Sequence, residues 1–192
     1  MRPEGPIEES ANLISRMQET LHCTAVYNLR HTVRPRRCLH KTMAGKHLSL
    51  LVHFIWSTAG REPWIGLDWQ DDLFGIIGGI MKKKNARLIC AGGMFDHVHL
   101  YSSLPSTISI ADFVNAVKSN SSRWVHESFS NRKGFAWQEG YGAFSVSKSE
   151  EAKVIRYIRK QREHHAKRTF KEEFVEFLER YEVEYDNRYL WD

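Results

Sequence analysis

Polar and apolar residues alternate most regularly in residues 95–104, where two histidines flank a single valine. Because successive side chains of a strand point to opposite faces, His97 and His99 would share one face, and Val98 and Leu100 the other. The apolar pair can then enter a core while both imidazoles face a cleft. Imidazole is the commonest side-chain metal ligand, so this strand would supply half of a metal site. With ten histidines in the chain, a chance pairing is the alternative.

The same patterning predicts the remaining elements of the chain. Runs of β-branched and aromatic residues predict strands at 47–58, 87–92, 95–104, 135–137 and 143–147. Apolar positions three and four residues apart predict helices at 68–84, 109–130, 149–168 and 170–181. The order β-α-β-β-α-β followed by helices predicts an α+β fold, a ferredoxin-like split βαβ antiparallel sheet with helices on one face, plus C-terminal helices. The other sheet face would remain for a ligand or partner.

The N-terminal segment differs in composition from the rest of the chain. Residues 1–42 contain three prolines and a basic cluster at 34–37. We interpret them as an extension of uncertain order, upstream of a natural start at Met43, with a basic DNA-binding arm as the alternative. Residues 43–192 would then form one domain.

The charge, the cysteine content and the absence of long apolar runs indicate the kind of partner and the cellular compartment that suit the protein. The chain has a net charge of +5 and a pI of about 9.1, although its last 22 residues hold eight acids and three bases. A basic body suits a polyanionic partner, and a solvated surface without a partner is the alternative. Three cysteines form neither a zinc pattern nor an even disulfide set. No apolar run reaches membrane-spanning length and no signal peptide is visible, so we predict a cytoplasmic protein without membrane association.

A second constellation lies on the predicted helix 149–168. Tyr157 and Gln161 are four residues apart and would lie one turn apart on the same face. Tyrosine can act as a covalent nucleophile when its environment assists ionisation of the phenol. A glutamine amide oxygen is a suitable ligand for Mg²⁺ or Mn²⁺. The structural alternative is that Tyr157 is a packing residue whose hydroxyl forms a hydrogen bond within the protein. Tyr141 is a second candidate for the nucleophile.

Other residues near these motifs allow two interpretations each. Asp96 would either orient a ligand imidazole or cap the turn after Gly93. We interpret His53 as a core or edge residue of its strand, and His164 and His165 as ordinary surface histidines.

Together these residues resemble the single-tyrosine HUH transposases, the IS200-like insertion-sequence and REP-associated family that acts on single-stranded DNA. His97-Val98-His99 corresponds to the HUH motif, and Tyr157 with Gln161 corresponds to the Tyr-x-x-x-Gln helix. Residues 135–147 are similar to the stretch before that helix. The similarity covers about residues 43–192. Nothing in the family matches residues 1–42.

The resemblance implies a function and a role for each matching residue. His97, His99 and Gln161 would bind Mg²⁺ or Mn²⁺, and Tyr157 would attack the scissile phosphate. A 5′-phosphotyrosine link and a free 3′-OH would result, so that strands are cut and rejoined near hairpin ends without ATP. The resemblance also implies a homodimer. The alternative function is a host-adopted or non-catalytic relative that binds hairpins at dispersed palindromic repeats.

Contacts to DNA can be assigned only provisionally from the sequence. Basic, hydroxyl and aromatic side chains contact phosphates and unpaired bases in such proteins. The candidates are Lys118, Ser122, Arg123, Trp137, Arg156 and Lys160. Solvated helix faces and core aromatics are the alternative.

Overall fold

The computed structural model describes residues 47–188, 190 and 191, so the interpretation of residues 1–42 lies outside the described part. The strands are β1 (Leu51–Ser57), β2 (Arg87–Gly93), β3 (His97–Ser103) and β4 (Gly142–Ser145). The helices are α1 (Gln70–Lys83), α2 (Ile110–Ser128), α3 (Glu151–Arg159), α4 (Gln161–His165) and α5 (Phe170–Arg180). Short 3₁₀ turns occupy Ala59–Arg61, Ser130–Arg132 and Lys148–Glu150. Across this range, no helix combines the length and apolar character needed to cross a membrane.

The four strands form one antiparallel sheet in the order β2-β3-β1-β4, which confirms the predicted α+β architecture. β3 lies inside the sheet, hydrogen-bonded to β1 on one side and β2 on the other. Its register sets His97 opposite Ser57 and His99 opposite Ile55. Because a one-residue slip would move every side chain to the other face, this double pairing fixes both imidazoles.

Each face of the sheet carries a separate hydrophobic core. Val98 and Leu100 pack with residues of α1 and α2 on the first face, as the alternation predicts. On the second face, Ile55 and Phe144 pack against α5, and Ile158 of α3 packs in a further cluster. The face expected to remain for a ligand is therefore covered by the C-terminal helices. The imidazoles of His97 and His99, which point to that face, are fully buried.

The predicted helix 149–168 is divided in the structure. α3 ends at Arg159, and the backbone N–H of Lys160 is shared between the carbonyls of Arg156 and Tyr157, which tightens the last turn. α4 begins at Gln161, so Tyr157 and Gln161 lie on either side of a break. The predicted strand at 135–137 is only a single bridge between Thr58 and Trp137.

Two glycines allow the C-terminal helices to approach the sheet closely. A Cβ on Gly92 would lie 2.4 Å from the carbonyl oxygen of Ile158, so α3 can rest on β2 only where no side chain intervenes. A Cβ on Gly142 would meet the rings of Phe144 and Phe174, each at 2.8 Å. Gly142 is paired with Ile55 within the sheet, and its lack of a side chain allows this close packing.

Candidate active site and metal centre

The two histidines of β3 present the same ring nitrogen to one buried point. The Nδ1 atom of His97 lies 2.7 Å from Asp96 Oδ1, and the Nδ1 atom of His99 lies 3.1 Å from Nε2 of His53. Asp96 therefore orients an imidazole, which resolves the two interpretations left by the sequence. With Nδ1 occupied in each ring, Nε2 is left to face the interior, as in metal-bound histidines.

The C-terminal helices bring a carboxylate and a third imidazole to the same point. Oε2 of Glu173 lies 3.0 Å from Nε2 of His165, 3.3 Å from Nε2 of His99 and 3.9 Å from Nε2 of His97. His165 repeats the pattern of the strand histidines, because its Nδ1 lies 3.1 Å from the carbonyl oxygen of Arg168. Three imidazoles thus present Nε2 to a single carboxylate oxygen.

The other oxygen of Glu173 faces the two residues predicted to be nucleophile and ligand. Oε1 accepts hydrogen bonds from the hydroxyl of Tyr157 and, at 3.0 Å, from the amide of Gln161. The amide oxygen of Gln161 lies 3.0 Å from Nε2 of His165 and 3.4 Å from Nε2 of His97. The structure therefore brings Tyr157, Gln161 and both β3 histidines together within one chain.

These donors fit a divalent metal ion. One ligand atom from each of His97, His99, His165 and Glu173 lies within 4.8 Å of the others. Nε2 of His99 is buried and has no hydrogen-bond partner, a cost that a bound cation would remove. Imidazole nitrogen and carboxylate oxygen are common ligands of divalent ions. The cluster could therefore bind a metal.

Burial and hydrogen bonding displace the pKa values of this cluster in opposite directions. Burial lowers the pKa of His99 to about 4 and that of His53 well below its ordinary value, so both rings are neutral at pH 7. Burial alone would raise the pKa of Glu173, but the hydrogen bond from His165 and the adjacent imidazole of His99 more than offset it, so the pKa of Glu173 lies well below its usual range. Glu173 is thus an ionised, buried carboxylate.

Tyr157 is the phenol placed at the histidines. Its ring centroid lies 6.0 Å from that of His99 and 5.6 Å from that of Phe177. Burial and the neighbouring Glu173 raise the pKa of Tyr157 above its ordinary value, so the phenol is protonated at pH 7. The rival, Tyr141, packs against the core on the other face of the sheet.

The candidate DNA-contacting residues fall into two groups. Nζ of Lys118 donates to the carbonyl oxygens of Gln138, Glu139 and Gly140, so its donors hold a loop in this conformation. Trp137 is buried in the first core and donates to the hydroxyl of Ser121. The remaining candidates have exposed or half-buried side chains: Ser122, Arg123, Arg156 and Lys160. DNA contact by any of the six stays a prediction.

Two residues of the site are not identified as ligands by the sequence. The sequence pattern predicts a surface position for His165 and assigns no role to Glu173. Glu173 lies on the apolar stripe of α5 beside Phe170, Phe174 and Phe177, and it is 1% exposed. An acid on an apolar stripe is the available signal, because a buried carboxylate needs a hydrogen-bonded or cationic partner.

Besides a smaller cavity beside Gln161, two cavities border the site, and these two share no lining residue. One, of about 630 Å³, is bordered by His165 and Asp96. The other, of about 400 Å³, is bordered by Tyr157 and His53. α5 contributes to both, because Phe170 borders the first cavity and Phe177 the second.

Comparisons with known proteins agree with this geometry. A sequence model of the family described as "Transposase IS200 like" matches residues 46–161. The transposases for insertion sequence element IS200 of Salmonella typhimurium LT2 and Salmonella typhi are 31% identical to the chain over 96 residues. The alignment covers 45% of this chain and 62% of each relative, so the chain spans less than two thirds of the length of these relatives.

Solved structures resemble the described fold as well. A crystal structure from Deinococcus radiodurans R1, assigned as a transposase, aligns with a TM-score of 0.52 and 30% identity over 61% of this chain and 94% of that one. The structure of a REP-associated tyrosine transposase bound to a REP hairpin aligns with a TM-score of 0.49 and 13% identity over 63% and 72%. The family match ends at Gln161, so His165 and Glu173 lie beyond it.

Proposed function

Because the chain belongs to the family of IS200-like transposases, we propose that it cleaves and rejoins single-stranded DNA with Tyr157 as the nucleophile. One observation carries the proposal: the hydroxyl of Tyr157 and the Nε2 atoms of two β3 histidines converge on the two oxygens of Glu173. A nucleophile and a set of metal ligands in contact with one carboxylate are the parts that phosphoryl transfer requires.

The reaction exchanges one phosphodiester for another. The phenolic oxygen of Tyr157 attacks the phosphorus atom, the bond from phosphorus to the 3′ oxygen breaks, and the 5′-phosphate stays on the tyrosine. The phenol gives up its proton to water as it attacks, and the departing 3′ oxygen takes up a proton from water, while Oε1 of Glu173 orients the attacking hydroxyl through the hydrogen bond that it already accepts. Attack by a 3′-OH on the phosphotyrosine reverses these steps and rejoins a strand without ATP.

The ligands favour one of the two predicted ions. When bound, a divalent ion supplies Lewis-acid polarisation of the phosphoryl oxygens. His97, His99, His165, Gln161 and Glu173 would hold it, with Asp96 fixing the ring of His97. Imidazole suits transition metals whereas Mg²⁺ prefers oxygen ligands, so this set favours Mn²⁺ over Mg²⁺.

The DNA partner and the assembly state follow from family resemblance. We expect single-stranded DNA with hairpin or palindromic ends as the substrate, met in the cytoplasm. A homodimer stays a prediction, and a trans arrangement is not needed to complete the site, because Tyr157 contacts Glu173 beside the histidines of its own chain. Since α5 covers those histidines, a phosphate can reach them only after this helix shifts.

The decisive experiment looks for the covalent intermediate. Labelled single-stranded oligonucleotides carrying the palindromes that flank the chain's own gene are incubated with Mn²⁺ and then denatured. We expect a protein–DNA adduct with the wild type and with Tyr141→Phe, and none with Tyr157→Phe. An adduct that persists in Tyr157→Phe, or the absence of any adduct with the wild type, would refute the proposal.

A further inference from the structure

The cavity beside His165 is adjacent to the candidate metal centre. Its volume of about 630 Å³ lies within the range of ligand pockets, roughly 300–1,000 Å³. Its wall includes His165, which belongs to the metal cluster, and Asp96, which orients His97. A strand whose phosphate reaches the cluster would therefore have neighbouring nucleotides in this space.

Two cations in the wall of this cavity have no ion-pair partner in the described part of the chain. Among residues 47–188, Arg61 and Lys167 form no ion pair, whereas Arg168 is paired with Glu176. The two acids of the wall are engaged elsewhere. Asp96 lies against His97, and the carboxylate of Glu172 accepts from the backbone N–H of Thr169 at 2.8 Å.

The second cavity differs in this respect. Its two cations are Lys153, 3.2 Å from Glu150, and Arg180, 2.5 Å from Glu176. Both charges are thus met by carboxylates on neighbouring turns. Cations without such carboxylate partners are available to bind phosphates. The cavity beside His165 is therefore the better candidate for binding the DNA backbone.

Arg61 is held in an uncommon backbone conformation. Its φ of 57° lies in the left-handed region, which is unfavourable for a residue with a Cβ. The turn is fixed to the start of β3, because the backbone N–H and the hydroxyl of Thr58 both donate to the carbonyl of Asp96, at 2.8 and 3.1 Å. Strained residues of this kind are enriched at ligand-binding sites.

Phe95 gives the same cavity an exposed aromatic surface. It lies in the turn between β2 and β3, two residues before His97, and is 45% exposed. Its carbonyl accepts from the N–H of Ile65 at 2.8 Å, so its backbone is fixed. A rigid aromatic ring beside free cations is the arrangement by which proteins stack unpaired bases and bind the adjoining phosphates.

We infer that this cavity binds the nucleotides next to the cleaved phosphate, with one base stacked on Phe95 and backbone phosphates bound by Arg61 and Lys167. The inference rests on the proposed function, since it assigns a position to the same single strand. It also assigns sequence-independent DNA binding to residues that differ from the six DNA-contacting candidates predicted from the sequence.

The test separates bases from phosphates. Binding of fluorescein-labelled dT12 and of a twelve-residue abasic strand is measured by anisotropy in EDTA, which prevents cleavage. Stacking contributes about 1–3 kcal/mol per base, so Phe95→Ala should weaken dT12 binding at least about fivefold while leaving the abasic strand unaffected. Phe95→Trp should restore the preference for dT12. Arg61→Ala and Lys167→Ala should weaken both strands and each reduce the salt slope by about 0.7.

Matched variants elsewhere on the surface control for general effects. Lys83→Ala removes an exposed cation at the end of α1, and Tyr185→Ala removes an exposed aromatic side chain. Both should bind as the wild type. If the wild type binds dT12 but Phe95→Ala or the cation variants match these controls, the inference fails while the proposed function stands. A wild type that binds neither strand would also overturn the inference, whereas the proposed function, whose substrate carries hairpin or palindromic ends, is tested separately by the covalent adduct.

Discussion

The two halves of the candidate site are held by different kinds of structure. His97 and His99 belong to β3, which has a hydrogen-bonded strand on each side and whose register is set over seven residues. His165 and Glu173 belong to α4 and α5, helices of five and 11 residues with a turn between them. The first half lies inside the range that matches the family, and the second lies beyond it.

This difference shows that the positions of the strand ligands are fixed by local sheet structure, whereas those of the helical ligands are fixed by tertiary packing. A strand inside a sheet cannot shift one ligand without shifting the whole ladder, so the imidazoles are positioned before any helix packs on them. The helical ligands reach the site only through apolar contacts of α5, such as Phe174 and Phe177, with the second sheet face. We therefore expect the β3 half to be indispensable and the helical half to adjust affinity and access.

Metal affinity provides the largest test of this expectation. His99→Ala would remove a nitrogen that directly ligates the proposed metal ion. Because loss of a residue that only orients a ligand already lowers metal affinity by about 10–100-fold, the affinity for Mn²⁺ should fall at least about 100-fold. Glu173→Gln keeps an oxygen donor but removes the charge, so we expect a loss of about 10-fold. Titration calorimetry on chelator-treated protein measures both.

Neighbouring histidines supply the controls for this titration. His165→Ala should weaken Mn²⁺ binding, whereas His164→Ala should not, because His164 packs on Tyr157 outside the cluster. His126→Ala, on α2, should also bind as the wild type. Equal affinities of His165→Ala and wild type, together with equal affinities of Glu173→Gln and wild type, would contradict a contribution of the helical half to metal binding through a third imidazole and a negative charge.

The β3 half could be predicted from the sequence because its signal is local. Alternation of His97, Val98, His99 and Leu100 is enough to assign faces, and the structure places Val98 and Leu100 in a core as expected. The two helices on the first face follow from periodicity in the same way, and the strand order agrees with the ferredoxin-like sheet predicted from the order of the elements. Helix and strand limits differ by a few residues at most for α1, α2 and β3.

The helical half could not be predicted because its determinants lie far apart in the sequence. α3 ends at Arg159, next to the close approach of Ile158 to Gly92, and no local sequence pattern indicates that approach. Glu173 meets His99 across 74 residues of chain, so its role depends on α5 packing on the sheet. An acid on an apolar stripe indicates a buried partner but does not identify it.

The pH dependence of stability tests the burial of His99 in the β3 half. In the folded state the pKa of His99 is about 4, below its ordinary value of 6.5, so the unfolded chain binds more protons between these values. Stability should therefore fall as pH falls, by about 2 kcal/mol from pH 7 to pH 5. The lowered pKa of His53 also makes the folded state less stable as pH falls, whereas the raised pKa of His165 makes it more stable.

Urea unfolding in EDTA at pH 7, 6 and 5 measures this dependence. His99→Gln should remove most of it, because the side chain no longer titrates. Asp96 and Glu173 have lowered pKa values, and their contributions are lost only at more acidic pH. A stability that is the same at pH 5 and pH 7 would contradict the burial of a neutral His99 in the folded state.

The smallest expected effect loosens the helical half without touching the strand. Thr169 and Glu172 form a capping box at the start of α5, in which the Thr169 hydroxyl accepts from the N–H of Glu172 at 3.3 Å. Thr169→Ala should cost about 1 kcal/mol, and Thr169→Ser should cost much less. By hydrogen exchange, amides of α5 should exchange about fivefold faster while those of β3 keep their rates. Equal acceleration in both would show that α5 and β3 open as one unit, in which case no phosphate could reach the histidines without unfolding the sheet.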